Sequence, residues 1–204
     1  MNYDVIIVGA GPGGIFSAYE LVKLTKSKNK NAKIAIFEAG APLEKRHCPI
    51  DGEKIKSCIG CKHCSIMKGF GGAGAFSDGK YNITTQFGGT LHDHIGKKTA
   101  LELMHYVDEI NISHGGEGTK LYTTANSDIK TLCMQNGLYL LDASVRHLGT
   151  DKNYVVLQNL YNELKEQVDF QFYTEATSVE KNGDGYTVTT DHGSYTCRVC
   201  VISG

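Results

Sequence analysis

The chain opens on an unbroken apolar run, Val5-Ile6-Ile7-Val8, which predicts a short strand over 4–8 buried on both faces. A helix is predicted from about Gly13 to Leu24, with Ala18, Leu21 and Val22 on one face. A second strand is predicted over 33–37, ending at Glu38. This is one β–loop–α–β unit, which should cross over right-handed into a parallel pair. Periodicity then lapses from Ala39 to Tyr81. It returns as an amphipathic helix over 97–113, with Leu103, Val107 and Ile110 aligned. A helix capped by Ser127 follows, carrying Ile129, Leu132 and Cys133 and stopping near Gly137. Leu138 to Leu141 reads as a strand. Asp151 is expected to cap a further helix with Val156, Leu160 and Leu164 on one face. The tail reads as four strands, 170–173, 177–181, 186–190 and 195–203. Asn182-Gly183-Asp184-Gly185 and Asp191-His192-Gly193-Ser194 supply turns between the last three.

The first strand runs directly into Gly9-Ala10-Gly11-Pro12-Gly13-Gly14. Gly9 allows the tight turn, Gly11 removes a side chain where a pyrophosphate approaches, and Gly14 lets the helix pack close to the strand. The helix start then offers N–H groups and a positive dipole end to phosphates. Glu38 ends the next strand, placed to accept hydrogen bonds from ribose hydroxyls, and its charge disfavours a 2′-phosphate. A second loop, Gly69-Phe70-Gly71-Gly72-Ala73-Gly74-Ala75-Phe76-Ser77-Asp78-Gly79-Lys80, is rich enough in glycine to approach a ligand or form an N–H nest. Ser77 could add a hydroxyl and Lys80 a positive charge. Two such loops predict a large dinucleotide, with FAD the leading candidate.

Composition narrows the class. Of 204 residues, 41% are hydrophobic and 21% charged, which are globular values, and the net charge of −1 predicts no pull toward nucleic acid or membrane. No secretory signal fits before the first strand, and no apolar run reaches bilayer length. Seven cysteines, an odd count, suggest a reducing compartment and a cytoplasmic protein. Ending on an apolar strand, the chain reads as incomplete at its C-terminus.

The segments Cys48-Pro49, Cys58-Ile59-Gly60-Cys61-Lys62-His63-Cys64, 69–80 and Val145-Arg146-His147-Leu148-Gly149-Thr150-Asp151 resemble an uncharacterised, mostly bacterial family of FAD-dependent dehydrogenases, or NAD(FAD)-utilizing oxidoreductases, within the glutathione-reductase-like flavoprotein superfamily. The resemblance covers essentially the whole chain. It implies that Gly9, Gly11 and Gly14 hold the FAD pyrophosphate, that Glu38 holds the adenosine ribose, that Arg46 stands near the adenine end, and that Gly71, Gly72 and Gly74 line the flavin side. Pro12, Gly13, Ala39, Ala73 and Gly204 complete the expected cofactor-facing set. It also implies a reduced nicotinamide, NAD(P)H, as a plausible electron donor.

The expected fold is therefore α/β: a Rossmann-like FAD/NAD(P)-binding domain with a parallel central sheet, a small antiparallel crossover sheet and a helical insertion. Residues 1–81 form its N-terminal part with a cysteine-rich loop at 48–64, 82–150 the helical insertion on the substrate side, and 151–204 the return to the FAD-binding domain, truncated. The expected function is an FAD-dependent oxidoreductase acting on a small-molecule substrate or redox partner. Cys48, Cys58, Cys61 and Cys64 leave four readings open: an iron–sulfur cluster, a zinc site, a dithiol such as Cys61 with Cys64, or unligated thiols. A metal-binding protein on a nucleotide-binding scaffold, or a truncated flavoprotein without activity, are the competing functions. Arg146 and His147, read as a loop between a strand and a helix, are candidates for substrate anchoring and acid–base work. Cys197 and Cys200, three apart on a strand, are expected on opposite faces.

Overall fold

A computed structural model describes residues 2–125 and 127–203. In chain order the strands and helices are β1 (Asn2–Val8), α1 (Pro12–Ser27), β2 (Ile34–Phe37), β3 (Lys80–Ile83), α2 (Leu91–Ile95), α3 (Lys97–Asn111), β4 (Leu121–Thr123), α4 (Asp128–Gln135), β5 (Ser144–His147), α5 (Thr150–Leu164), β6 (Val168–Gln171), β7 (Ala176–Asn182), β8 (Gly185–Thr190) and β9 (Gly193–Ile202). The chain divides into two compact units, 1–75 with 157–204, and 76–156. None of its described helices is long and apolar enough to cross a membrane.

The first unit is built on a six-stranded sheet in the order β6-β2-β1-β9-β8-β7. Four strands, β6, β2, β1 and β9, run parallel, and β8 and β7 continue antiparallel. All four residues of β2 are buried, as a strand covered on both faces requires. Gly14, Ile15, Ala18 and Val22 form the buried face of α1.

The antiparallel crossover strands, as expected from the turns between them, are β7, β8 and the first part of β9, and they continue the central sheet. β9 makes this possible by changing partners along its ten residues. Its first part, 193–197, pairs antiparallel with β8, and 196–202 pairs parallel with β1. The chain leaves β1 toward β2 and β6 and returns on its other side as β9. This creates a topological switch point at the carboxyl end of β1, where such sheets bind ligands.

The expectation that Cys197 and Cys200 face apart fails here for a local reason. The N–H groups of Asp4 and Val5 both donate to the Lys33 carbonyl, at 2.9 and 3.2 Å, an irregularity that interrupts strict alternation. Tyr3 and Ile6 consequently pack in the same cluster, and so do their β9 partners Cys197 and Cys200. The two thiols hydrogen-bond to each other instead of facing apart, and burial together with Cys197 pushes the Cys200 thiol up to about 11.

The second unit, read from the sequence as a helical insertion with one strand at 138–141, carries more strand than that. It contains a three-stranded antiparallel sheet in the order β3-β5-β4. The expected strand at 138–141 is absent, and Leu138 and Tyr139 are exposed; the strand forms at β5 instead. In α3, Leu103 is 45% exposed, and the buried face runs through Ala100, Asp108, Ile110 and Asn111. Ser127 does cap α4, accepting from the Lys130 N–H at 3.3 Å.

Candidate functional site

Three strand ends of the first unit converge on one cavity. Gly9 follows β1, Glu38 follows β2 and Ser203 follows β9, and all three line a cavity of about 810 Å³, a volume within the usual range for ligand sites. Gly9 turns with φ +97° and donates to the Phe37 carbonyl at 2.8 Å. Gly11 stands at the N-cap of α1 with no capping side chain, and Pro12 opens the helix, so the N-terminal end of the macrodipole faces the loop.

The glycines divide by role. A Cβ on Gly14 would collide with the Gly9 carbonyl oxygen and stand 3.0 Å from Ser203 Oγ, so Gly14 serves packing. A Cβ on Gly11 would meet only the Ser203 carbonyl, at 4.0 Å, and Gly11 itself lines the cavity. Ser203 Oγ is buried and, among the described residues, has no hydrogen-bond partner. An orphaned hydroxyl beside a helix start and a cradle of absent side chains fit a phosphate-bearing ligand.

Glu38 is 7% exposed, and its carboxylate is largely committed. Oε2 accepts from the Ala10 N–H at 2.7 Å, while Oε1 accepts from Gly40 N–H at 2.8 Å and Gly69 N–H at 2.9 Å. One side chain thus joins the first glycine loop, the end of β2 and the second glycine loop. A carboxylate has roughly four acceptor sites, so about one remains for a ligand.

The second loop is not an N–H nest over 69–72. Gly69 N–H serves Glu38, and those of Phe70, Gly71 and Gly72 donate to the carbonyls of Ala41, Ala10 and Gly69. Its carbonyls converge on Arg46. The guanidinium donates to Ser65, Ile66, Phe70 and Gly72 at 2.8 Å each and reaches Gly69 at 3.5 Å. Arg46 is 5% exposed. Burial lowers its pKa, opposed by the charges of Glu38 and Cys64. Arg46 therefore holds the loop from behind; it is not among the residues lining the cavity.

Of the other expected cofactor-facing residues, Pro12, Ala39, Gly72 and Ala73 line the cavity. Gly13 lies against Ser203, where a Cβ would stand 3.4 Å from its side chain. Gly71 packs on α5, where a Cβ would be 2.8 Å from Leu157, and Gly74 faces open space. Gly204 lies outside the described residues. Ser77 and Lys80 belong to the second unit, where Ser77 Oγ accepts from Gly79 N–H at 3.3 Å and Lys80 pairs with Asp78 at 2.6 Å. The sequence reading missed Met67, Lys68 and the stretch from Thr174 to Val179. Their only sequence signal was adjacency to the second loop and to the β6–β7 turn. Lys68 and Glu175 form an ion pair at 3.2 Å between those two walls.

Arg146 is not available to a substrate. It lies on β5, 8% exposed, with Nε donating to Asp108 Oδ1 at 2.6 Å, Nη2 to Oδ2 at 2.8 Å and Nη1 to the Thr119 carbonyl at 2.6 Å. The bond to Asp108 raises its pKa. His147 is exposed, with Nε2 4.0 Å from Asp78.

The four candidate metal ligands are not assembled. Cys58 and Cys61 are exposed, Cys48 and Cys64 half-buried. Among the described residues, no three His, Cys, Asp or Glu side chains are grouped to hold a metal ion. This arrangement does not fit a cluster or a zinc site.

No known protein-family profile matches the chain. It is similar to an uncharacterised protein of Clostridium beijerinckii, 25% identical over 201 residues, covering 97% of this chain and 30% of that protein. A shorter stretch of 43 residues is 42% identical to the mitochondrial electron transfer flavoprotein-ubiquinone oxidoreductase of Arabidopsis thaliana, covering 21% of this chain and 7% of that protein. Among solved structures, glycine oxidase from Geobacillus kaustophilus superposes with a TM-score of 0.54 at 18% identity, over 100% of this chain and 55% of that one. The chain thus spans about half or less of the length of these relatives, and it shares the Rossmann-like dinucleotide-binding fold.

Proposed function

We propose that the cavity holds FAD and that the protein is a flavin-dependent oxidoreductase. The observation that carries this reading is the meeting of Gly11, the start of α1 and the unpartnered Ser203 hydroxyl at the switch point of the sheet. Gly11 leaves room for the pyrophosphate, the helix start stabilises its charge, and Ser203 Oγ supplies a donor. Glu38 offers its remaining acceptor capacity to a ribose hydroxyl, and its charge disfavours a second phosphate there. The bound flavin supplies the redox chemistry, and the protein positions it and excludes water. The similarity to a flavoprotein oxidoreductase and to an oxidase points the same way.

A reduced nicotinamide is the proposed electron donor and a small molecule the proposed substrate, within a reducing, cytoplasmic setting that suits seven free thiols. With Arg146 committed to Asp108, His147 is the remaining acid–base candidate. FAD titration followed by the visible spectrum tests the reading. Perturbed flavin bands and quenched fluorescence are expected, and added NADH or NADPH should bleach the bound flavin under anaerobic conditions. Free-flavin spectra throughout the titration would overturn the assignment.

A further inference from the structure

We infer that Lys68 is the anion-recognising residue of the cavity and that Glu175 is its tether, so that the pair selects phosphate-bearing ligands over uncharged ones. The inference rests on the reading of this cavity as a nucleotide site. Among the described residues that line it, Lys68 is the only cation, and Glu38 and Glu175 are the only acids. A pyrophosphate brings further negative charge to that wall. Lys68 is the lining side chain whose charge favours such a ligand, and the two carboxylates oppose it.

The fold brings the two partners together around Glu38. The Glu38 carboxylate accepts from the N–H of Gly69, the residue after Lys68, at 2.9 Å. The Glu38 carbonyl accepts from the N–H of Thr174, the residue before Glu175, at 2.9 Å. The Lys68 N–H donates to the Cys64 carbonyl at 2.8 Å, and the Glu175 N–H to Asp191 Oδ1 at 2.9 Å. Both backbones are thus fixed, and Lys68 Nζ meets Glu175 Oε1 at 3.2 Å.

The side chains themselves remain able to change partners. They are 42% and 36% exposed, and an ion pair so open to water is weakly held. A phosphate oxygen is as good an acceptor for the ammonium as the carboxylate is. Glu175 therefore acts against an anionic ligand twice, by competing for Lys68 and by repelling the phosphates. For an uncharged ligand neither effect operates. A pair that merely joined the two walls would behave differently. Removing either partner would then weaken every ligand alike, whatever its charge.

The test measures dissociation constants of FAD, ADP and adenosine by titration calorimetry at low and high salt. It uses the full chain and its Lys68→Met, Lys68→Arg and Glu175→Gln variants. Lys68→Met should weaken FAD and ADP about fivefold or more, the effect of one unit charge about 4 Å from another in water, and leave adenosine unchanged. Lys68→Arg, which keeps the charge, should restore most of the affinity. Glu175→Gln should tighten FAD and ADP. Both shifts should shrink at high salt. Where adenosine binds too weakly to measure, the opposed signs of Lys68→Met and Glu175→Gln decide. Weaker binding in both variants, unchanged binding in both, or an equal effect of Lys68→Met on adenosine and ADP would overturn the inference while leaving the FAD reading in place. If ADP shows the opposed shifts and FAD does not bind, the FAD reading fails and the assignment of Lys68 stands. If none of the three ligands binds, both fail.

Discussion

The phenol of Tyr3 on β1 donates to the Asp169 carboxylate on β6 at 2.5 Å, spanning β2 where Ala35, directly opposite Asp169, is fully buried and small. Gln171 Nε2 donates to the other carboxylate oxygen at 2.7 Å. The contact fastens the parallel strands that present Gly9 and Glu38 at their ends.

Tyr3→Phe should remove this bond with little change in packing. A hydrogen bond to a charged partner contributes about 1.5–3 kcal/mol, so a urea midpoint shift of that order is expected. Burial, followed by the bond to Asp169, raises the Tyr3 pKa above its ordinary value of 10.0. The folded chain thus keeps a proton that the unfolded chain releases. The contribution is fully present below about pH 10 and is lost as pH rises through the folded-state value. The wild type should lose stability on alkaline titration past pH 10 more steeply than the phenylalanine variant; equal slopes would exclude the linkage.

Gly11 and Gly14 should respond in opposite ways to alanine. Gly11 has φ −72°, which any residue adopts, and its Cβ would meet nothing closer than 4.0 Å. Gly11→Ala should keep or slightly raise thermal stability, since it restricts the unfolded chain, yet block FAD by filling the cavity. Gly14→Ala drives a methyl into the Gly9 carbonyl and should lower stability by about 1–3 kcal/mol as an overpacked contact. Melting curves with and without FAD separate the two, and a Gly11→Ala protein that still binds FAD would remove Gly11 from the phosphate site.

The loop, helix and acid of the first β–α–β unit were legible because each depends on residues a few positions away: an apolar run, Gly9 to Gly14, and Glu38. What Glu38 and Arg46 do was not legible. Their partners at Gly69 and at 65–72 are brought to them by the fold, and no spacing in the sequence marks that approach. The same holds for β9, whose change of partner depends on where β1 and β8 lie. Arg146 was misplaced because a four-residue strand carries too little alternation to stand out beside the Leu138–Leu141 run. The pairing of Cys197 with Cys200 follows from an irregularity at Asp4 and Val5, nearly the whole chain away in sequence.

Arg46→Lys should damage the second loop despite keeping the charge. An ammonium has three donors on a point charge, where the guanidinium serves five carbonyls from a planar fork. Each buried carbonyl left unpaired costs about 1–3 kcal/mol. The expected result is a lower melting temperature with faster hydrogen exchange across 65–72. Unchanged exchange there would show that the loop holds its shape without the fork.

Asp108 and Arg146 give the second unit a buried, bidentate ion pair. Removing one partner leaves an uncompensated charge, which typically costs about 3–5 kcal/mol. Asp108→Ala and Arg146→Met should therefore each loosen the sheet of β3, β5 and β4, read as loss of amide protection at 80–83 and 144–147. Replacing both residues by apolar ones of similar volume should cost less than the sum of the single changes, because no charge is left alone. If Arg146 served a substrate instead, Arg146→Met would leave amide protection intact and change only the response to ligand.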